Sequence, residues 1–464
     1  MVMLKKFEQL YKESDFFYLQ AICLFLFLFP LFFQLSGSVF ISNEIIFNTQ
    51  GRLDLLPLPI SVVACFIGIL VMLRYEDGYY GVGLVFLVYM LMMLSTLITT
   101  SKQGEVGLEK YLLLMQFLLP MFGLILGHAY LEPKSYYLKF EAIALYVLLI
   151  IIPLEVVATL MGDTVILSPS LYFFSLYQHI QYLPVVFVSL YFLSIVTLFE
   201  NKNLKYLILF LAPWFGAYVV ASFSLITIIT ALILIIASLV ILVHKGKKWE
   251  GLILVAFFAA SSYSYYMSVQ NHNFITPTSV KELDLVEDSV SMEHKKNLII
   301  EFEDVRKKIK NKYSQYAVYR VLPESIEKRF IYWDFYVQEI LASPKVFLFG
   351  HNTRPNRDVY PSAYNYYLDI IYYFGVIVFL PFIYLFSIVI IKIVKIVKEG
   401  KGTVELFALF LVVMLFMIVD NSLKVSCRQP YSGMVIFFLI GKLLFQFSLL
   451  LNLKSNFKTT PKCN

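Results

Sequence analysis

Phe349 to Gly375, FGHNTRPNRDVYPSAYNYYLDIIYYFG, gathers side chains that move protons and hold anions. His351 carries an imidazole that titrates near neutrality and suits a general base. Arg354 and Arg357 lie three apart on a segment that Pro355 and Pro361 mark as loop, and their planar forks match phosphate oxygens in pairs. Asp369 sits where the sequence has turned apolar, a place where a carboxylate is costly unless paired or wetted. It is the second candidate base. Six tyrosines (Tyr360, Tyr364, Tyr366, Tyr367, Tyr372, Tyr373) add hydroxyl-bearing rings. Surface arginines and a satisfied loop histidine are the plain alternative.

A second group, VDNSLKVSCRQPYSG, breaks two apolar runs and holds Asp420, Asn421, Lys424, Arg428, Gln429 and Tyr431. Lys424 and Arg428, four apart just above a membrane, suit a lipid-linked diphosphate; ordinary interface anchoring is the competing reading. His179, Glu155 and Lys442 are weaker candidates, Lys442 being expected to pair or snorkel. Trp214 and Pro213 read as packing. No phosphate loop, HExxH pair, CxxC or GxSxG elbow is present, so no ATP, metal or serine-hydrolase signature accompanies these residues. Chemistry here needs a substrate that is already activated, unless the chain transports.

The elements that position these groups are membrane helices. The 464 residues are 59% hydrophobic and 15% charged, with mean hydropathy +0.74, far from the composition of a soluble domain. About 20 apolar residues cross a bilayer as helix. Twelve stretches qualify, near 16–35, 57–73, 79–99, 108–130, 140–161, 177–199, 206–222, 225–244, 251–267, 366–391, 404–420 and 432–451. The expected fold is an all-α integral membrane protein of about twelve spans. A large outer, periplasmic helical loop precedes the last three. The parts are 1–267 (spans one to nine), 268–365 (the loop) and 366–464 (spans ten to twelve and a cytoplasmic tail). The tight turn Ser222–Ser224 leaves a re-entrant pair open. The first apolar run has no small-residue cleavage site after it and reads as a retained span. Cys23, Cys65, Cys427 and Cys463 make no framework and read as small apolar residues.

Lysine placement sets the orientation. Eighteen cations fall on one side (Lys5, Lys6, Lys12, Arg74, Lys134, Lys139, Lys202, Lys205, Lys245, Lys247, Lys248, Lys392, Lys395, Lys398, Lys401, Lys454, Lys458 and Lys462), while the short loops opposite carry only Arg52, Lys102, Lys110, Lys424 and Arg428. Both termini are therefore expected in the cytoplasm. The long loop has nearly balanced charge, which disfavours a nucleic-acid partner. Its Val280–Tyr316 segment has amphipathic helical spacing, and Pro323-Glu324-Ser325 opens a helix that Ser343-Pro344 ends.

At Ala363–Gly375, AYNYYLDIIYYFG, the chain resembles the O-antigen polymerase and ligase superfamily of bacterial envelope glycosyltransferases. Those proteins have about twelve spans, cytoplasmic termini and a large outer loop ahead of the last few. Their loop motif is histidine, then Asn, Ser or Gln, nine residues, and glycine. Asn365 and Gly375 fit, with Tyr364 standing at the histidine position; its ordinary pKa of about 10 suits a base poorly. The arginine-ten-glycine polymerase motif is absent, and Ser222-Phe223 stands where a Ser-Arg pair is common. The resemblance implies an inner-membrane enzyme, without metal or cofactor, that transfers a glycan from undecaprenyl diphosphate to a sugar hydroxyl. Membrane lipid and a chain-length regulator would be further partners. It implies Arg354, Arg357, Lys424 and Arg428 at the diphosphate, His351 or Asp369 as base, and Tyr364 and Asn365 against sugar. A polymerase of repeat units is the first expectation, a ligase to lipid A-core the second. A lipid-linked oligosaccharide flippase is a third.

Overall fold

The computed structural model describes residues 14–32, 34–35, 57–73, 79–100, 106–160, 171–172, 183–222, 224–271, 324–352 and 363–457. The described residues are overwhelmingly helical: α1 Ser14–Phe32, α2 Pro57–Leu73, α3 Tyr79–Thr100, α4 Val106–Leu118, α5 Phe122–His128, α6 Phe140–Leu160, α7 Leu183–Leu198, α8 Lys202–Ala221, α9 Leu225–His244 and α10 Lys248–Asn271. After the loop come α11 Glu324–Leu341, α12 Pro344–Phe349, α13 Tyr366–Phe374, α14 Val376–Lys398, α15 Val404–Met414, the turn α16 Asn421–Leu423 and α17 Pro430–Phe457. The only extended pairing among the described residues joins β1 Gln34–Leu35 to β2 Leu171–Tyr172, antiparallel.

Among the described residues, six helical stretches are long and apolar enough to cross a membrane: Gly81–Thr100, Lys202–Ala221, Leu225–His244, Val376–Lys398, Val404–Leu423 and Ser432–Leu451. Five shorter apolar stretches accompany them, from Asp15–Pro30 to Leu183–Leu198. Large apolar side chains stay exposed along these helices, among them Leu70, Phe86, Ile236, Val240 and Ile391. A helix apolar on every side belongs in a core or in lipid, and an exposed surface this apolar has no counterpart on a soluble monomer. The chain is a multi-pass membrane protein. α7 is its inner post, buried along all sixteen residues.

Several expected spans end or bend differently from the sequence reading. The stretch 366–391 is two helices, because Gly375 at φ 82° stops α13 and starts α14. Pro120 inserts a 3-10 turn, Leu119–Met121, between α4 and α5. The run 404–420 ends in a π-helix, Leu415–Asp420. α8 and α9 are 20 residues each, long and apolar enough for a full crossing apiece. α10 has the length of a span, but its Ala-Ala-Ser-Ser-Tyr-Ser-Tyr-Tyr tract makes it the most polar of the long helices of the bundle. α11 begins at Glu324 and ends at Leu341, ahead of Ser343-Pro344 as expected, while Ser343 goes on to cap α12, a helix the sequence reading did not include. Val280–Tyr316, His179, Cys463, Arg354 and Arg357 lie outside the described residues, as does the side chain of Glu155.

Close packing sets the bundle's centre. A Cβ on Gly123 or Gly127 of α5 would run into the Met434 or Phe438 carbonyl of α17, and one on Gly441 into the Leu124 carbonyl. The sequence GLILG is the small-xxx-small pattern by which membrane helices approach closely. Beside this seam Lys442 pairs with Glu141 of α6, both buried, and its ammonium lies over the Tyr130 and Phe140 rings. The expectation that Lys442 pairs holds.

The helices share two ends. At one, Lys245 reaches Glu200 at 3.1 Å and Glu405 at 3.5 Å, Lys205 reaches Glu250 at 2.8 Å, and Lys139 reaches Glu132 at 3.2 Å. Lys401 donates to the Leu450 carbonyl at 2.7 Å. These are loops the lysine count assigned to a single side, now joined. The other end holds Ser222–Ser224, the Phe349–His351 corner, α11, α13 and Lys424–Arg428.

Candidate functional site

The loop-bearing end is built on two glycines. Gly350 (φ 78°) and Gly375 (φ 82°) adopt left-handed backbone that glycine alone enters without strain. Each also meets the other's strand of chain: a Cβ on Gly350 would strike Tyr373 and Phe374, and one on Gly375 would strike Leu348 and Phe349. The His351 amide donates to the Tyr372 carbonyl at 2.7 Å. Ser95 of α3 donates to the Phe349 carbonyl at 2.6 Å, and Lys110 of α4 to the His351 carbonyl at 2.9 Å and to Thr99 at 2.6 Å. The corner is thereby pinned to two membrane helices. The His351 ring stacks on Tyr372 (centroids 4.6 Å apart, 19°), and its Nε2 is 3.3 Å from Glu339 of α11. Burial lowers the His351 pKa and Lys110 adds to that, while Glu339 opposes it. The imidazole is therefore neutral at pH 7, the form a base requires.

Beneath the corner, Asp369 and Arg428 form the site's best-defined pair. Asn365 caps α13, its Oδ1 accepting from the amides of Tyr367 (3.0 Å) and Leu368 (3.2 Å). That fixes Asp369 in the first turn, fully buried. Its Oδ2 accepts from Arg428 Nη1 at 2.7 Å and its Oδ1 from the Ala363 amide at 3.2 Å. Arg428 Nε and Nη2 donate to Gln116 Oε1 at 3.2 and 3.1 Å, and the guanidinium lies over Phe117 and Tyr373. Expected as base and phosphate ligand, these two are each other's partner. A carboxylate with both oxygens engaged by donors, one of them a cation, is a weak base. Their role is to position α13 and the 3-10 turn Ser426–Arg428.

The π-helix delivers a second set. Asn421 Nδ2 donates to the Phe416 carbonyl at 2.9 Å and its Oδ1 accepts from the Cys427 amide at 3.0 Å. The Tyr367 hydroxyl donates to the Met417 carbonyl. Asp420, 1% exposed, then points its carboxylate inward, with only the Ser426 hydroxyl as a neighbouring donor among the described residues and neither oxygen bonded to a cation or an amide. Lys424 Nζ donates to Ser224 Oγ at 3.1 Å, at the turn between α8 and α9. The Tyr366 amide donates to the Lys424 carbonyl at 3.2 Å. Arg329 of α11 acts electrostatically on both Asp420 and Lys424. Arg329 also lies over Tyr364, whose ring is 5.8 Å from Tyr332. Tyr364 is the one non-glycine residue with positive φ among those described, at 48°, a conformation a bulky residue adopts only under constraint. Trp333 Nε1 holds the corner by donating to the Ala363 carbonyl at 2.7 Å. Burial raises the Tyr364 pKa against the pull of Arg329, so the phenol is no base.

Of the residues the sequence nominated, His351, Asp369, Tyr364, Asn365, Lys424 and Arg428 come together at this end, and Arg354 and Arg357 lie outside the described residues. Sequence reasoning passed over Lys110, Gln116 and Arg329 as partners. Lys110 and Gln116 were findable as polar positions within the apolar α4. Arg329 carried no signal, being one charge among many on an amphipathic helix. Among the described residues no three His, Cys, Asp or Glu side chains group as metal ligands. No protein-family model, curated protein or solved structure matches this chain.

Proposed function

We propose that this chain is a glycosyltransferase of the bacterial inner membrane that polymerises undecaprenyl-diphosphate-linked oligosaccharide repeats. The loop-bearing end then faces the periplasm, with twelve crossings and both termini in the cytoplasm. The carrying observation is that Lys110, Lys424, Arg428, Arg329, Asp369, Asp420 and His351 meet at one end of the bundle, around broken helices. Irregular backbone at membrane depth is tolerated only inside protein or beside water, and cations there suit an anionic headgroup substrate. Lys424, with Arg354 and Arg357, would hold the diphosphate and neutralise charge that develops as it leaves. Tyr364 and the neighbouring rings would flank sugar, and a chain-length regulator would be a protein partner. The resemblance at Ala363–Gly375 supplies the substrate class.

Transport has one observation in its favour: seven buried Lys, Arg, Asp and Glu side chains, namely Lys110, Glu141, Asp369, Asp420, Lys424, Arg428 and Lys442, more than the sequence led one to expect. Against it, α5 and α17 pack backbone to backbone at the Gly123–Gly127 seam, between the Asp369–Arg428 and Glu141–Lys442 pairs. Deleting the gene and resolving lipopolysaccharide on a gel tests the reading. A polymerase loss leaves core bearing a single repeat. Bare core with lipid-linked polymer accumulating would mean ligase, and lipid-linked repeats trapped on the cytoplasmic side would mean flippase. Unchanged long chains would end all three.

A further inference from the structure

Resting on that reading, we propose that Asp420 is the proton acceptor of the transfer reaction, with Lys424 and Arg329 as the cations that answer it. The two carboxylates of the site differ in what surrounds them. Asp369 has both oxygens engaged, by Arg428 and the Ala363 amide. Asp420 is as deeply buried, and among the described residues neither a cation nor a backbone amide is bonded to its oxygens; the one donor beside it is the Ser426 hydroxyl. A buried polar group in that state is costly, and a donor that arrives with substrate removes the cost. A sugar hydroxyl is such a donor. The π-helix holds the carboxylate there, and single π turns recur at functional sites.

The step balances as follows. The acceptor hydroxyl gives its proton to Asp420 while its oxygen forms the bond to the anomeric carbon. The bond from that carbon to the diphosphate oxygen breaks, and its electron pair stays on the diphosphate. Before transfer Asp420 offsets one of the two charges on Lys424 and Arg329. Once protonated it no longer does, so the positive field rises by one unit as the leaving group gains one negative charge. Base and leaving-group stabilisation are thus one device. Arg329, which acts on Asp420 and lies over Tyr364, is only partly buried, so substrate would approach Asp420 from that side. The strained backbone of Tyr364 makes that corner the least comfortable part of the cover.

The test uses purified full-length protein in proteoliposomes, with lipid-linked repeats extracted from the deletion strain as substrate. Asp420→Asn should slow chain extension by about 100-fold or more, the usual contribution of a general base, with KM within a few-fold of wild type. Asp420→Glu should retain extension and move the acidic limb of the rate–pH profile. Asp420→Asn working at more than a tenth of the wild-type rate would make the carboxylate purely structural. Should Asp420→Asn fail to fold, an Asp420→Glu profile that coincides with wild type overturns the proposal by itself. A deletion strain whose core carries no single repeat would instead sink the polymerase reading.

Discussion

Two buried carboxylate–cation pairs stand about 20 Å apart along one helix, Arg428 just before α17 and Lys442 in its middle, at about 1.5 Å of rise per residue. Glu141–Lys442 is enclosed by regular helices, two aromatic rings and a glycine seam. Asp369–Arg428 is enclosed by a helix break at Gly375, a π-helix, a 3-10 turn and a second carboxylate bonded to no cation or amide among the described residues. Buried charge alone does not mark a working site. The inner pair is a clasp between α6 and α17. The pair at the loop-bearing end holds irregular backbone in place around other groups, and that irregularity is the functional sign.

Breaking either pair on one side should have the largest effect. Lys442→Met leaves Glu141 buried and uncompensated, as Arg428→Met leaves Asp369, and each should lose about 3–5 kcal/mol. Thermal unfolding in detergent measures it. The double changes separate the regions. Glu141→Leu with Lys442→Met should recover most of the stability and keep polymer on a lipopolysaccharide gel. Asp369→Leu with Arg428→Met should recover stability and lose polymer, because the frame for Asp420 and Lys424 has gone. Polymer lost in the inner double at normal stability would erase the distinction.

The glycines give the next contrast. Gly127→Leu puts a side chain into the Phe438 carbonyl and must part α5 from α17, an overpacking loss of about 1–3 kcal/mol or more across the bundle. Gly350→Ala adds strain at φ 78° and a contact with Tyr373, about 1–3 kcal/mol, confined to the corner. The first should lower the melting temperature. The second should leave most of it intact and reduce chain extension. Equal melting losses would show that the corner and the bundle unfold as one.

Much of the frame was legible in the sequence. Apolar runs and lysine asymmetry depend on composition, and the loops they grouped are joined by Lys245–Glu200, Lys245–Glu405 and Lys205–Glu250. The chemistry was legible only as residue types. Pairing Asp369 with Arg428 spans 59 positions, and Lys424 with Ser224 spans 200, separations on which no local pattern reports. Gly375 could be read as a motif residue but not as a helix break, since φ is fixed by its contact with Leu348 and Phe349. GLILG is readable as a packing motif, but its partner carbonyls at Met434 and Phe438 lie more than 300 positions away and leave no local trace.

The smallest effect expected is one of pH, and it should distinguish the two regions most cleanly. Burial, aided by Lys110, holds the His351 pKa below its ordinary value of about 6.5 despite Glu339. The folded corner therefore prefers the neutral ring. Its contribution is whole above pH 6.5 and is lost as pH falls through the lowered folded value, since the unfolded chain then binds the proton more readily. Lowering pH from 7.5 to 5.5 should speed amide exchange, corrected for its intrinsic rate, at His351, whose amide binds the Tyr372 carbonyl, and at its neighbour Gly350. The Gly123–Gly127 amides should hold their protection. His351→Phe keeps a ring to stack on Tyr372 and removes the titrating group, so the corner should lose its pH response. Loosening that is equal at both ends, or that survives in His351→Phe, would place the pH sensitivity elsewhere and leave the corner no more responsive than the clasp.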